Sequence, residues 1–242
     1  MYQPRHYRDA VQAPGLVRFA VTVDETDLLV LADSDLRDET RKLVKRARAE
    51  LQAHIVDFPA FLSSLEPLTA PMQAPPLIAA MYRAARAAGT GPMAAVAGAI
   101  AETVGRGLLN NTRQVIVENG GDIFIKSGTP RTVSIYAGHS PLSGKVGVRI
   151  EAGQFGVCTS SGTVGHSLSM GKADAAVAIS ADAALADAVA TALGNRVSGP
   201  PDIEAALEWV QGIEGVLHAA VITGELFGTW GQFEIVPTAV GN

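Results

Sequence analysis

The segment that most constrains what this chain can fold into is Ser180–Leu193, which reads SADAALADAVATAL. Alanine is the strongest helix former, and Leu185, Val189 and Leu193 recur every fourth residue. The spacing predicts one helix, with Ser180 as N-cap and Gly194-Asn195 as its stop. Apart from Asp182 and Asp187 it carries no charge. A helix with so little charge to offer water is expected to be packed on most sides, so it requires a sheet and further helices around it. Asp187 and Thr191 lie one turn apart, roughly opposite the Leu185–Leu193 stripe. No Lys or Arg falls within a turn of Asp187. On a buried face that carboxylate needs N–H donors or a cation from elsewhere in the fold; on an outer face the pair is a solvated polar stripe. A carboxylate and a hydroxyl together suit a hard, oxygen-seeking ion such as Mg²⁺ better than zinc.

The rest of the chain can supply those layers. Leu16–Val23 and Leu28–Ala32 read as a hairpin around Asp24-Glu25-Thr26-Asp27. Ser34 offers a cap to a helix from about Asp35 to Val56, where pairs such as Asp38/Lys42 mark a solvated face. Pro59, Pro67, Pro71, Pro75 and Pro76 break the next stretch. Two alanine-rich helices follow, about Pro76–Ala88 and Met93–Leu109, joined by Gly89-Thr90-Gly91-Pro92. That joint is a helix-to-helix turn, or a place where N–H groups face an anion. From Arg113 short strands take over: Gln114–Glu118, Asp122–Lys126, Thr132–Ala137, Val146–Glu151, Gln154–Cys158 and Ala175–Ile179. Pro200-Pro201 opens a further helix to about Val210, and Leu217–Ile222, Leu226–Thr229 and Gln232–Val236 return to strands. Each half runs strands, helices, strands, which reads as an α+β chain of two similar subdomains, the second starting near residue 113.

Charge and cysteine content narrow the class. With 48% hydrophobic and 18% charged residues the chain of 242 residues is no disordered segment. A net charge of −5 argues against a nucleic-acid partner. The single cysteine, Cys158, forms no internal disulfide and no cysteine-based zinc site. The start, MYQPRHYRDA, lacks the apolar run of a signal peptide, and no stretch reaches the ~18 apolar residues of a membrane span. The expectation is a soluble cytoplasmic protein without a membrane partner.

Two polar constellations lie among the strands. In Glu118-Asn119-Gly120-Gly121-Asp122-Ile123-Phe124, the glycine pair reads as a tight hairpin turn. It also lets a flat ring or a phosphate approach the backbone, with Asp122 as an acceptor at the rim. In Cys158-Thr159-Ser160-Ser161-Gly162-Thr163-Val164-Gly165-His166-Ser167, hydroxyls and glycines follow a strand, as in loops that hold phosphates. A polar connection explains the composition equally well. It is no Walker A loop, since Gly-x-x-x-x-Gly-Lys-Ser/Thr is missing. Cys158 reads as a small core hydrophobe and His166 as a loop histidine. Arg5, His6 and Arg8 read as a frayed terminus or as an arm over a phosphate.

In their order these segments resemble the ApbE-like superfamily, whose best-known members are Mg²⁺-dependent transferases that use FAD to attach FMN to a protein Thr or Ser. Gly120-Gly121-Asp122-Ile123, preceded by the helix containing Gly98 to Glu102, looks like that family's Gly-Gly-Asp-Ile turn. Thr159-Ser160-Ser161-Gly162 looks like its Thr-Ser-Gly loop with one extra serine. Ala186–Leu193 is close to its Ala-Asp-Ala-Leu-Ser-Thr-Ala-Leu helix, where the Asp and Thr serve the magnesium site. The resemblance implies one ApbE-like domain over residues 1–242, an α+β duplication of two intertwined subdomains. It further implies an FAD or related flavin nucleotide on Gly120, Gly121, Asp122, Thr159, Ser160, Ser161 and Gly162. Mg²⁺ would sit at Asp187 and Thr191, and the partner would be a protein acceptor. The family's His-x-x-Asp-Pro-x-Thr-Gly segment is represented only by His166 and Gly171, without the Asp-Pro and the Thr. A binding or scaffold protein that kept the fold without transfer chemistry is therefore the alternative.

Overall fold

Strand alternation decides how the layers stack. The computed structural model describes residues 8, 13–162 and 171–238. Its first half runs β1 (Val17–Val23), β2 (Thr26–Ala32), α1 (Arg37–Asp57), α2 (Ala60–Ser63), α3 (Pro76–Ala88), α4 (Val96–Leu108), β3 (Val115–Asn119) and β4 (Asp122–Ser127). There follow β5 (Arg131–Ser134), β6 (Val146–Ile150), β7 (Gly153–Ser160), β8 (Ala175–Ser180), α5 (Ala183–Asn195), α6 (Ile203–Gln211), β9 (Val216–Thr223), β10 (Leu226–Gly231) and β11 (Glu234–Pro237). Eight strands form one antiparallel sheet in the order β1-β2-β3-β4-β7-β8-β9-β10, and β11-β6-β5 form a second. Two strands, helices, two strands is the order of β1–β4 and again of β7–β10, and each group of four lies unbroken in the sheet. The fold is thus the α+β duplication read from the sequence.

Both faces of the large sheet are covered, so β8 is buried along its whole length. Ala176 and Ala178 face the helices with Phe124, Cys158 and Val221. Val177 and Ile179 face the small sheet with Ile125, Val157, Ile150 and Phe233. Helix α5 lies under β7 and β8 and is wedged against α3 and α4. Its alanines and valine are buried, which accounts for its lack of charge, and so is Asp187. Of the two faces open to Asp187 in the sequence, the buried one is realised.

Several ends move. The β1–β2 pairing starts at Val23↔Thr26, leaving only Asp24-Glu25 as the turn, with Asp24 at φ +51°. Asp182 rather than Ser180 caps α5, accepting the Leu185 N–H at 3.0 Å. Helix α1 starts at Arg37 without a side-chain cap from Ser34. Pro92–Ala95 form a 3₁₀ turn before α4. At α1 the Arg37 N–H goes to Asp35 Oδ1 and at α5 the Leu185 N–H goes to Asp182, and propensity alone does not say which neighbour serves.

Candidate functional site

The β3–β4 register pairs Asn119 with Asp122, so Gly120 and Gly121 alone make the turn, at φ +72° and +107°. Two successive positive φ values are what a type I′ hairpin turn demands, and glycine meets them without strain. The turn is tied on both sides. Asn119 Nδ2 donates to the Ala97 carbonyl at 3.1 Å, and the Gly121 N–H donates to Glu118 Oε1 at 2.9 Å. A Cβ on Gly121 would come within 3.6 Å of the Thr159 carbonyl. Two constellations far apart in sequence are therefore neighbours.

Helices α4 and α5 cross at Gly98, where a Cβ would lie 2.2 Å from the Ala183 carbonyl oxygen and 2.9 Å from Asp187 Cβ. Glycine permits this approach and leaves the start of α4 open to a side chain from α5. Asp187 Oδ2 accepts the Gly98 N–H at 2.8 Å, and the Ala97 N–H also bonds this carboxylate. These two N–H groups belong to the first turn of α4, which has no side-chain cap of its own. The positive end of a helix dipole favours such a carboxylate. The arrangement is reciprocal: Glu102 Oε2 of α4 accepts the Ala183 N–H at the start of α5 at 2.6 Å, and its other oxygen pairs with Arg106. Each helix caps the other. The anion facing α4 thus comes from the chain itself, and backbone N–H groups partner Asp187.

Asp122, Cys158 and Asp187 share this buried space. Burial lifts the Asp187 carboxyl from an ordinary 3.8 to about 7, against the pull of the Gly98 and Ala97 N–H groups. Asp122 is held well above its ordinary range, first by burial and then by the charge of Asp187; the Cys158 thiol and the Thr159 N–H pull the other way. Burial, then Asp122 and Asp187, push the Cys158 thiol up. That thiol is within reach of both the Asp122 carboxylate and the Ala183 carbonyl, 3.4 Å from Sγ. Cys158 is a core residue that also borders the carboxylates. The signal in the sequence was parity: Asp122, Phe124 and Cys158 fall on the helix-facing side of their strands.

Thr159 and Ser160 end β7, and only then does the polar loop begin. The Gly162 N–H donates to the Ala173 carbonyl at 2.9 Å. Ser160 is buried against the last turn of α5, its Oγ 3.6 Å from where a Cβ on Gly194 would sit. Thr191 is half-buried on α5, one turn beyond Asp187. Residues 163–170, with His166, lie outside the described residues. Arg5 and His6 do as well, but Arg8 is buried on Asp27 and Glu118 instead of reaching outward. The sequence places Glu118 beside the glycine pair and Gly98 to Glu102 on the preceding helix, but it does not show their roles as acceptor for the turn, crossing point and cap.

Asp122 and Asp187 are buried and make no ion pair among the described residues, and their charges repel, which is the setting that a divalent cation relieves. Among the described residues no three His, Cys, Asp or Glu form a ready cage. Mg²⁺ characteristically binds one or two carboxylates and takes its other ligands from water and substrate phosphates, so the residues present fit it.

A family model described as AbpE bacteria matches residues 8–225. Among similar proteins, the UPF0280 protein of Methanococcus aeolicus is 38% identical over 94% of this chain and 98% of its own length. The UPF0280 protein of Methanopyrus kandleri is 42% identical over 88% of this chain and 89% of its own. Among solved structures, the flavin transferase ApbE from Vibrio cholerae superposes with a TM-score of 0.58 at 14% identity, covering 93% of this chain and 97% of that one. The apo form of Pseudomonas stutzeri flavinyl transferase ApbE gives 0.57 at 15%, covering 89% and 94%. At such identities the likeness is one of fold. No helix among the described residues is long and apolar enough to cross a membrane.

Proposed function

Since the chain belongs to the AbpE bacteria family and has the ApbE fold, we propose that it binds a flavin or related nucleotide pyrophosphate and carries out flavin-transferase-like chemistry. The observation that carries this reading is the meeting of Asp122, Asp187 and the Gly120–Gly121 turn at the start of α4. The three could have been scattered, and the fold gathers them.

In this reading the whole chain is one domain whose repeat divides between β4 and β7, later than the start near residue 113 expected from the sequence, because β3 and β4 lie with β1 and β2 in the sheet. Asp187 and Thr191, with Asp122 beside them, would hold Mg²⁺, which when bound neutralises the pyrophosphate and the charge growing on the leaving phosphate. The hydroxyls of Thr159, Ser160 and Ser161 would contact the pyrophosphate oxygens, with Gly162, whose N–H donates to the Ala173 carbonyl, leaving room beside them. The bare Gly120–Gly121 turn would admit the ligand's ring or backbone. The α4–α5 clasp fixes the Asp187 carboxylate before any ligand arrives, so little reorganisation is spent on binding.

Incubation with FAD, Mg²⁺ and a Thr- or Ser-containing acceptor, followed by chromatography for AMP, tests the proposal. The expected result is Mg²⁺-dependent AMP release that Asp187→Ala abolishes; no release with any acceptor removes the transfer chemistry. A second reading, binding without transfer, draws on the missing Asp-Pro and Thr between His166 and Asp174. It expects flavin in the mass spectrum of the purified protein and no AMP.

A further inference from the structure

Arg8 lies far in sequence from the turn it serves. Its Nε donates to Glu118 Oε2 at 2.6 Å, its Nη1 to Asp27 Oδ2 at 2.8 Å and its Nη2 to the Asp27 carbonyl at 2.8 Å. The Arg8 side chain is only 9% exposed and that of Glu118 only 6%. The second oxygen of Glu118 accepts the Gly121 N–H at 2.9 Å. An unbroken line thus runs from guanidinium to carboxylate to the backbone of the turn. Arg18 Nη2 fixes the start of that line by donating to the Arg8 carbonyl at 2.9 Å. A fork that engages two acceptors at once sets direction as well as charge, which a lysine ammonium does not. Without Arg8, Glu118 would be a buried carboxylate stripped of this partner, free to leave Gly121 or to turn its charge on Asp122.

We propose that Arg8 is a positioning residue for the ligand site, holding the Gly120–Gly121 turn in its binding geometry through Glu118. This rests on the flavin reading above for the identity of the ligand, though not for the mechanical link. It assigns Arg8, 110 residues from Glu118 in the sequence, a part in the site.

The test uses the full chain and compares wild type with Arg8→Ala, Arg8→Lys, Glu118→Gln and the Arg8→Ala/Glu118→Gln double variant. FAD affinity is titrated by flavin fluorescence with Mg²⁺ present, well below each variant's unfolding midpoint, with circular dichroism confirming the fold. Arg8→Ala should weaken FAD binding about tenfold, as expected for coupled neighbours, and speed amide exchange in the peptide covering residues 118–122. Arg8→Lys should fall between. Glu118→Gln should restore part of the affinity in the Arg8→Ala background, because it removes the charge that the Arg8 guanidinium balances. A folded Arg8→Ala protein with wild-type affinity and wild-type exchange at 118–122 overturns the proposal, as do strictly additive effects in the cycle. If wild type binds no FAD, the flavin reading falls, and the exchange measurement alone decides whether Arg8 holds the turn.

Discussion

Asp187 shows how one side chain can serve the fold and still be costly to it. Its folded pKa of about 7 against an ordinary 3.8 means that the folded chain holds this proton more tightly than the unfolded chain does. Between about 4 and 7 the folded state therefore binds more protons, and this contribution to stability is lost as pH rises through that window. Asp122 acts in the same direction. His218 acts in the opposite one. Buried on β9 between Thr229 Oγ1 and the Phe233 N–H, it has its pKa lowered by burial to about 4, so its contribution grows from about pH 4 to 6.5. The two oppose each other over most of that range. In metal-free protein Asp187→Asn should then make stability rise more steeply between pH 4 and 6.5. At pH 8 the variant should be no less stable than wild type, gaining about 1–3 kcal/mol if the amide oxygen keeps the Gly98 N–H. Urea unfolding across this pH range measures it; a pH slope unchanged from wild type would show that the carboxylate is not strained by burial. Mg²⁺ should raise the midpoint of wild type and leave that of the variant alone.

At the scale of the element, α4 has no cap of its own, and α5, though capped locally by Asp182, takes a second acceptor from α4 for its Ala183 N–H. The first turn of α4 offers Val96, Ala97 and Gly98, with no Ser, Thr, Asp or Asn before it. It borrows its cap from α5. Glu102→Ala removes the acceptor for the Ala183 N–H, and should cost about 1 kcal/mol in the range of lost helix caps. Faster exchange confined to the first turn of α5 would mark the place; a loss spread evenly over the chain would speak against a capping role. This dependence also explains what could be read from the sequence. The alternating strands, the charge-poor helix and the Gly-Gly turn follow from local pattern, and all were legible. The clasp was not, since its acceptor–donor pairs lie 81 and 89 residues apart and neither leaves a mark within a window of helix length. Arg8 escaped for the same reason: basic residues near a chain start look alike until Glu118 is placed beside them.

For the whole molecule, the two groups of four strands meet only along β4 and β7 in the sheet, while α4 and α5 bridge them in the helix layer. The turn Gly128-Thr129-Pro130 just after β4 is exposed. Exposed turns tolerate breaks best, and this one is bonded only to the side chains of Gln114 and Ser127 among the described residues. Chains 1–128 and 129–242, produced together, should therefore associate into a complex with near-native circular dichroism, whereas either produced alone should stay aggregated or unfolded. Independent folding of one fragment would show that the seam is a mere contact. The clasp also sets a clock for synthesis. The first turn of α4 is made 89 residues before the carboxylate that caps it. At about 5–20 residues per second the nascent chain waits roughly 4–18 s for that partner. During this delay β7 emerges first and covers the β4 edge, while the start of α4 stays uncapped until α5 follows and completes the clasp.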